Sequence, residues 1–154
     1  MPTHWVEPDD MVSMAGTKLP SSDWMTVEQD RINTFADCTE DHQFIHIDEE
    51  AAAKSPFGGT IAHGFLTLSL LTKLSSENSI GVKGIVMGVN YGIDKLRFLA
   101  PVRAGKRIRA HTEVLSVDRK DANRFLVKTA VTVEIEGEET PALYAEWLGM
   151  QFIA

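Results

Sequence analysis

The chain has 154 residues, 44% of them hydrophobic and 24% charged, the balance of an ordinary globular domain long enough to bury a core. A net charge of −7 argues against non-specific nucleic-acid binding, which needs a surplus of Lys and Arg. No stretch reaches the roughly 18 apolar residues of a membrane span, and the opening MPTHWVEPDD lacks the basic start and apolar run of a signal peptide, so neither export nor membrane insertion is expected. Cys38 is the only cysteine, which leaves no intramolecular disulfide framework and favours a reducing, cytoplasmic setting; Cys38 itself is expected to pack.

Residues 1–24 show little periodicity and carry Pro2, Pro8, Gly16 and Pro20, so they read as an extended arm with at most a short helical turn. Thr26 with Gln29 three positions on has the form of a capping box, and the Gly- and Pro-free run that follows predicts a helix over about 26–38. A short Ala-rich helix is expected over Glu49 to Lys54, ending at the SPFGG loop. In TIAHGFLTLSLLTKLSS, residues 60–76, Phe65, Leu66, Leu68, Leu70, Leu71 and Leu74 fall on nearly every side of a helix, and Lys73 is the only formal charge. Such a helix needs neighbours around most of its circumference, with Thr60 as its expected N-cap.

The remainder alternates in the manner of strands, at 85–90, 94–99, 106–117, 124–135 and 143–153. Turns at Pro101 to Gly105, Asp118 to Asn123 and Gly137 to Pro141 separate the later strands at hairpin distances. The expected architecture is α+β: one domain over 1–154, with a curved antiparallel sheet around one long buried helix.

Two stretches carry chemistry. DHQFIH places Asp41 and His46 at the ends of six residues, with Phe44 and Ile45 between them to dry the site, and AHG places His63 and Gly64 near a helix start. FADCTEDHQFIHIDEEAAA followed by GGTIAHGFLTLSLL, extended by NYGIDKLRFLAPVRAGKRIRA, resembles the MaoC-type acyl dehydratases of the hot-dog fold, the family of R-specific enoyl-CoA hydratases. The family pattern reads Asp, any residue, Asn-Pro, an aliphatic residue, then His. Here Gln43-Phe44 replaces Asn-Pro, which makes the nodulation-protein-N-like branch the nearer likeness and leaves Asp41 and His46 in register.

The resemblance implies hydration of a trans-2-enoyl thioester to the R-3-hydroxyacyl thioester, with Asp41 and His46 as the catalytic pair. A carboxylate and an imidazole holding one water supply both proton transfers that the addition needs, and strongly coupled groups titrate as a unit. The Gly64 N–H is assigned to the thioester oxygen, where one such donor is worth about 3 to 4 kcal/mol of transition-state stabilisation. His63 is either a substrate contact or a hydrogen-bond donor that fixes the helix start. Asn90 and Tyr91 either line the acyl pocket or form a plain turn, and His42 is expected to face solvent. Among Lys95, Arg97, Arg103, Lys106, Arg107 and Arg109, some could hold coenzyme A phosphates, although alternation also describes the wet face of a half-buried strand.

No cofactor beyond the coenzyme A thioester substrate is expected, and neither a nucleic-acid nor a membrane partner. Three other readings stay open: a hot-dog thioesterase, a non-catalytic acyl-CoA-binding protein, and a metal site built from His42 and His46 with Asp41 or Asp48. An exposed sheet edge needs cover, and family likeness implies a homodimer.

Overall fold

The computed structural model describes residues 2–154. A short strand β1 (His4–Val6) leads into a 3-10 helix over Pro8–Met14, then β2 (Met25–Thr26), α1 (Gln29–Thr39), α2 (Phe44–Ile47), α3 (Glu49–Ala53), α4 (Gly64–Ser69) and α5 (Leu71–Ser75). Five strands follow: β3 (Ile80–Val82), β4 (Ile85–Phe98), β5 (Arg107–Asp121), β6 (Arg124–Ile135) and β7 (Leu143–Ile153). The main sheet has the order β2-β5-β6-β7-β4 with antiparallel neighbours throughout, and β1 pairs in parallel with β3.

Alternation decides which side of each strand faces the helices. In β5, Ile108, Ala110, Thr112 and Val114 are buried while Arg107, His111 and Leu115 lie on the wet face. Val131, Val133, Ile135, Leu143 and Ala145 of β6 and β7 form one core with Ile32 of α1, Leu66 of α4, Leu70, and Leu71 and Leu74 of α5. A second core joins Met11 to Ile80, Val82, Val114, Val117, Phe125 and Val127 at the far end of the sheet.

Several expectations need correction. The segment before β2 is tied down: Met11 is fully buried, and Gly16, Leu19 and Ser22 donate backbone N–H groups to Val114, Thr112 and Ala110 of β5. A 3-10 helix, with three residues per turn, leaves no 3.6-residue pattern to be read. The capping box does not form, because Thr26 lies in β2 and Glu28 occupies the N-cap position of α1 without a side-chain bond.

The helix expected over 60–76 starts at Gly64 and is broken at Leu70 into α4 and α5. Its first residues cannot be helical, since Ala62 N–H bonds the Val102 carbonyl and the Thr60 carbonyl accepts from Ala104, so Thr60 is no N-cap. Nor is the pair of helices wrapped on all sides, for Phe65 is 66% exposed. Cys38, finally, is exposed rather than packed. The two strands expected at 85–90 and 94–99 are one continuous β4, which is paired on one side only, with β7.

Candidate active site

Asp41 and His46 reach their places through two tight local devices. Glu40, the only non-glycine residue with positive φ among those described, ends α1 in the left-handed conformation at φ 61° and turns the chain back on itself. Asp41 follows immediately and stays exposed, its carboxylate accepting the Gln43 N–H at 3.3 Å. The single turn of α2 then carries His46 inward, to 6% exposure, while Phe44 remains 48% exposed. Phe44 is therefore not what dries the site; Phe57, Ile61, Ala62, Phe98, Leu99 and Val102 supply the apolar walls.

The hydrogen bonds settle both histidine tautomers, because a carbonyl can only accept. His46 donates Nδ1–H to the Ile61 carbonyl at 2.7 Å, which leaves Nε2 as its lone-pair nitrogen in the neutral ring. His63 donates Nε2–H to the Asp41 main-chain carbonyl at 3.0 Å, so its bond runs to the loop that carries Asp41 and not to the helix start. Its Nδ1 is buried with no partner among the described residues. The two rings stack at 3.8 Å between centroids, with planes 23° apart, and Phe35 tilts against His63 at 4.9 Å.

One ligating atom from each of Asp41, His46 and His63 lies within 4.8 Å of the others. No hydrogen bond joins the Asp41 carboxylate to the His46 ring among the described residues. A metal ion fits the trio poorly. It should lie near the plane of each imidazole that binds it, and nearly parallel stacked rings do not share a plane. The metal reading built on His42 also fails on placement, since His42 pairs with Asp37 at 2.9 Å on the surface, as expected of a solvent-facing residue, and Asp48 caps α3 through the Ala51 N–H.

His46 titrates below the ordinary histidine range. Burial disfavours its charged form most, the Ile61 carbonyl opposes this, and His63 pushes the value further down while Asp41 raises it.

Gly64 and His46 both line a pocket of about 250 Å³, with Thr67, Phe98 and Ala142 among its other walls. As the first residue of α4, Gly64 has an N–H without an intrahelical acceptor. A Cβ at this position would stand 3.1 Å from the Phe98 ring, so glycine keeps the backbone open to the pocket. A larger hollow of about 640 Å³ lies along β4, lined by Met87, Val89, Thr72, Trp147 and Met150 among others. Asn90 is part of it and accepts the Trp147 indole N–H at 3.1 Å, whereas Tyr91 is 64% exposed and lines neither hollow.

Of the basic residues, Arg107 and Arg109 are engaged with Glu136 and Glu134 and lie over the Trp24 ring, and Lys95 lies over Tyr144. Arg97, Arg103 and Lys106 have no carboxylate partner among the described residues.

Gln29 is the site residue that sequence reasoning missed. Its Nε2 donates to the His46 carbonyl at 2.7 Å and its Oε1 accepts the Thr60 hydroxyl at 2.5 Å. The only signal it offered, a capping pattern with Thr26, points to a local partner instead.

The MaoC like domain profile matches residues 10–137. The chain belongs to the MaoC-like dehydratase family. Nodulation protein N of Rhizobium leguminosarum bv. viciae is 47% identical over 140 residues, 90% of this chain and 87% of that protein. A 3-hydroxyacyl-thioester dehydratase Z of Mycobacterium tuberculosis is 46% identical over 137 residues, 89% of this chain and 90% of its own length. Among solved structures, a monoamine oxidase regulatory protein from Archaeoglobus superposes with a TM-score of 0.74 at 30% identity, over 91% of both chains. The sheet curled around α4 and α5 is thus the MaoC hot-dog fold, and membership of a dehydratase family places the chain among the hydro-lyases.

Proposed function

We propose that this protein catalyses the reversible hydration of trans-2-enoyl-CoA to (R)-3-hydroxyacyl-CoA. The observation that carries the reading is the Asp41 carboxylate within 4.8 Å of a His46 ring nitrogen, beside an apolar pocket that His46 shares with Gly64. A water held by Asp41 and His46 gives one proton to the pair as its oxygen bonds to C3. The C2=C3 electrons move towards the thioester, whose oxygen takes the developing charge and is met by the Gly64 N–H. The pair then returns a proton to C2, and the reverse order releases water.

Syn delivery from one face gives the R product, as the family likeness implies. The dry walls of Ile61, Ala62 and Phe98 strengthen each electrostatic step. These steps use no cofactor beyond the coenzyme A of the substrate. We assign the acyl chain to the larger hollow with Asn90, which α5 helps to line through Thr72 and Ser75, and the coenzyme phosphates to Arg97, Arg103 or Lys106. Tyr91, exposed and outside both hollows of its own chain, would meet substrate at the entrance of a second protomer.

The reading includes a homodimer, which β4 supports, since its free edge carries exposed Val86, Met87, Val89, Tyr91 and Ile93. The opposite edge is covered by residues 16–26. Among the described residues no helix is long and apolar enough to cross a membrane, and with a single free thiol this supports the cytoplasm as the protein's place.

The test is absorbance at the enoyl-thioester band on mixing with crotonyl-CoA, with free thiol followed in parallel. Loss of the band without thiol, absent in Asp41→Asn, supports the reading. Thiol release would turn it into a thioesterase, and tight binding without turnover into a binding protein.

A further inference from the structure

We infer that His63 is a positioning residue that sets both members of the dyad at once, through its ring stacked on His46 and its Nε2–H bond to the Asp41 carbonyl. The inference rests on the hydration reading for its kinetic arm only.

Three features separate this from ordinary packing at a helix start. His63 occupies the N-cap position of α4, yet its side chain makes no cap bond and turns away to the loop that bears Asp41. It is 3% exposed and leaves Nδ1 buried without a partner among the described residues, a cost that an apolar side chain would avoid at the same place. Its ring covers one face of His46, so His46 cannot rotate about its Ile61 bond without colliding with it. One side chain therefore fixes the main chain of the carboxylate and the plane of the imidazole, whose relative geometry sets the place of the reacting water.

Small displacements of reacting groups are expensive. A shift of about 1 Å caused from outside the reacting groups can cost on the order of 100-fold in rate. The titratable groups facing His46 are Asp41, from the connection between α1 and α2, and His63, from the start of α4; Gln29 and Ile61 meet it only through neutral polar atoms. Removal of His63 hence also removes an influence that holds the His46 titration down.

The experiment compares His63→Phe, which keeps a ring but no donor, with His63→Gln, which keeps a donor but no ring, in the full chain. His46 ring protons are titrated by NMR and assigned by their loss in His46→Ala, and kcat and KM are measured on crotonyl-CoA. Expected are a roughly 10- to 100-fold loss of kcat in His63→Phe with KM little changed, partial recovery in His63→Gln, and a His46 titration moved to higher pH in both. An unmoved His46 titration overturns the inference, and so does a loss confined to KM, which would make His63 a substrate contact. A wild type inactive on every enoyl-CoA would sink the hydration reading instead, while the titration still decides the part played by His63.

Discussion

Gln29 holds the main-chain carbonyl of His46 from 17 residues away, by a 2.7 Å bond from its Nε2. Its Oε1 accepts a hydrogen bond from the hydroxyl of Thr60, itself 6% exposed, so one amide ties α1, α2 and the segment leading to α4. Gln29→Ala leaves both partners unsatisfied in a largely dry place. We expect a loss of about 2 to 3 kcal/mol of stability, from two net hydrogen bonds and the stranded Thr60 hydroxyl, read as a lower urea midpoint at unchanged slope. Gln29→Glu keeps the acceptor for Thr60 but loses the donor to His46 and to Asn33 Oδ1 and sets a carboxylate against the His46 carbonyl, so its loss should be at least as large.

Asp41 and His46 should part company in stability while agreeing in activity. Asp41 is exposed and its carboxylate holds only the Gln43 N–H, so Asp41→Asn should unfold within about 0.5 kcal/mol of wild type. His46→Ala strands the Ile61 carbonyl and opens a cavity, and should cost about 1 to 3 kcal/mol. Turnover of crotonyl-CoA should fall by at least about 100-fold in both, the size of a lost general acid or base. Undiminished turnover in either variant would remove that residue from the chemistry.

The His46 titration lies below the ordinary value of 6.5 because burial penalises the imidazolium more than the Ile61 carbonyl supports it. The unfolded chain then binds the proton more readily than the folded one. This contribution to stability is present above pH 6.5 and is lost as pH falls through the lower folded value. Activity that needs the bare Nε2 should likewise persist somewhat below 6.5 before its acid limb sets in. Urea midpoints and kcat/KM from pH 8 to about pH 5 check both, and in His46→Ala that part of the stability slope should vanish.

Sheet and site were legible to different degrees because they depend on contacts of different range. The strands expected at 124–135 and 143–153 match β6 and β7 because alternation alone fixes which face is buried. The helix at 60–76 failed where tertiary bonds won: residues 60–62 spend their backbone groups on 102–104, and the apolar Phe65 faces outward instead of into this chain's core. Asp41 and His46 were visible as a spacing. Ile61 and Gln29, which orient His46, were not, since nothing in their local sequence marks a partner 15 or 17 residues away.

Gly64 offers a test of the oxyanion assignment that spares the fold. Its φ is not positive, so alanine suits the backbone, and the Phe98 ring it would crowd at 3.1 Å is 48% exposed and free to yield. Gly64→Ala should therefore melt within about 1 kcal/mol of wild type, the helix preference of alanine offsetting the crowding. The added methyl stands between the N–H and the pocket, so kcat should fall by at least about 10-fold, a part of what loss of one such donor costs. Wild-type kcat in a folded Gly64→Ala protein would move the oxyanion role to another donor.

The free edge of β4 makes the last prediction. Tyr91 and Ile93 are 64% and 38% exposed and line neither hollow of their own chain, so the assembly state and not turnover is the readout for changing them. If two β4 edges pair, charges at both positions oppose like charges across the join and stay in contact with water only in the separated chains. Tyr91→Lys with Ile93→Lys should convert a species of twice the chain mass of 17.1 kDa into one of that mass, by light scattering on a sizing column. Their far-ultraviolet spectra should be alike, because these side chains stand outside both main cores. A wild type that already runs as a single chain, or a double variant that stays paired, would place the partner surface elsewhere than β4.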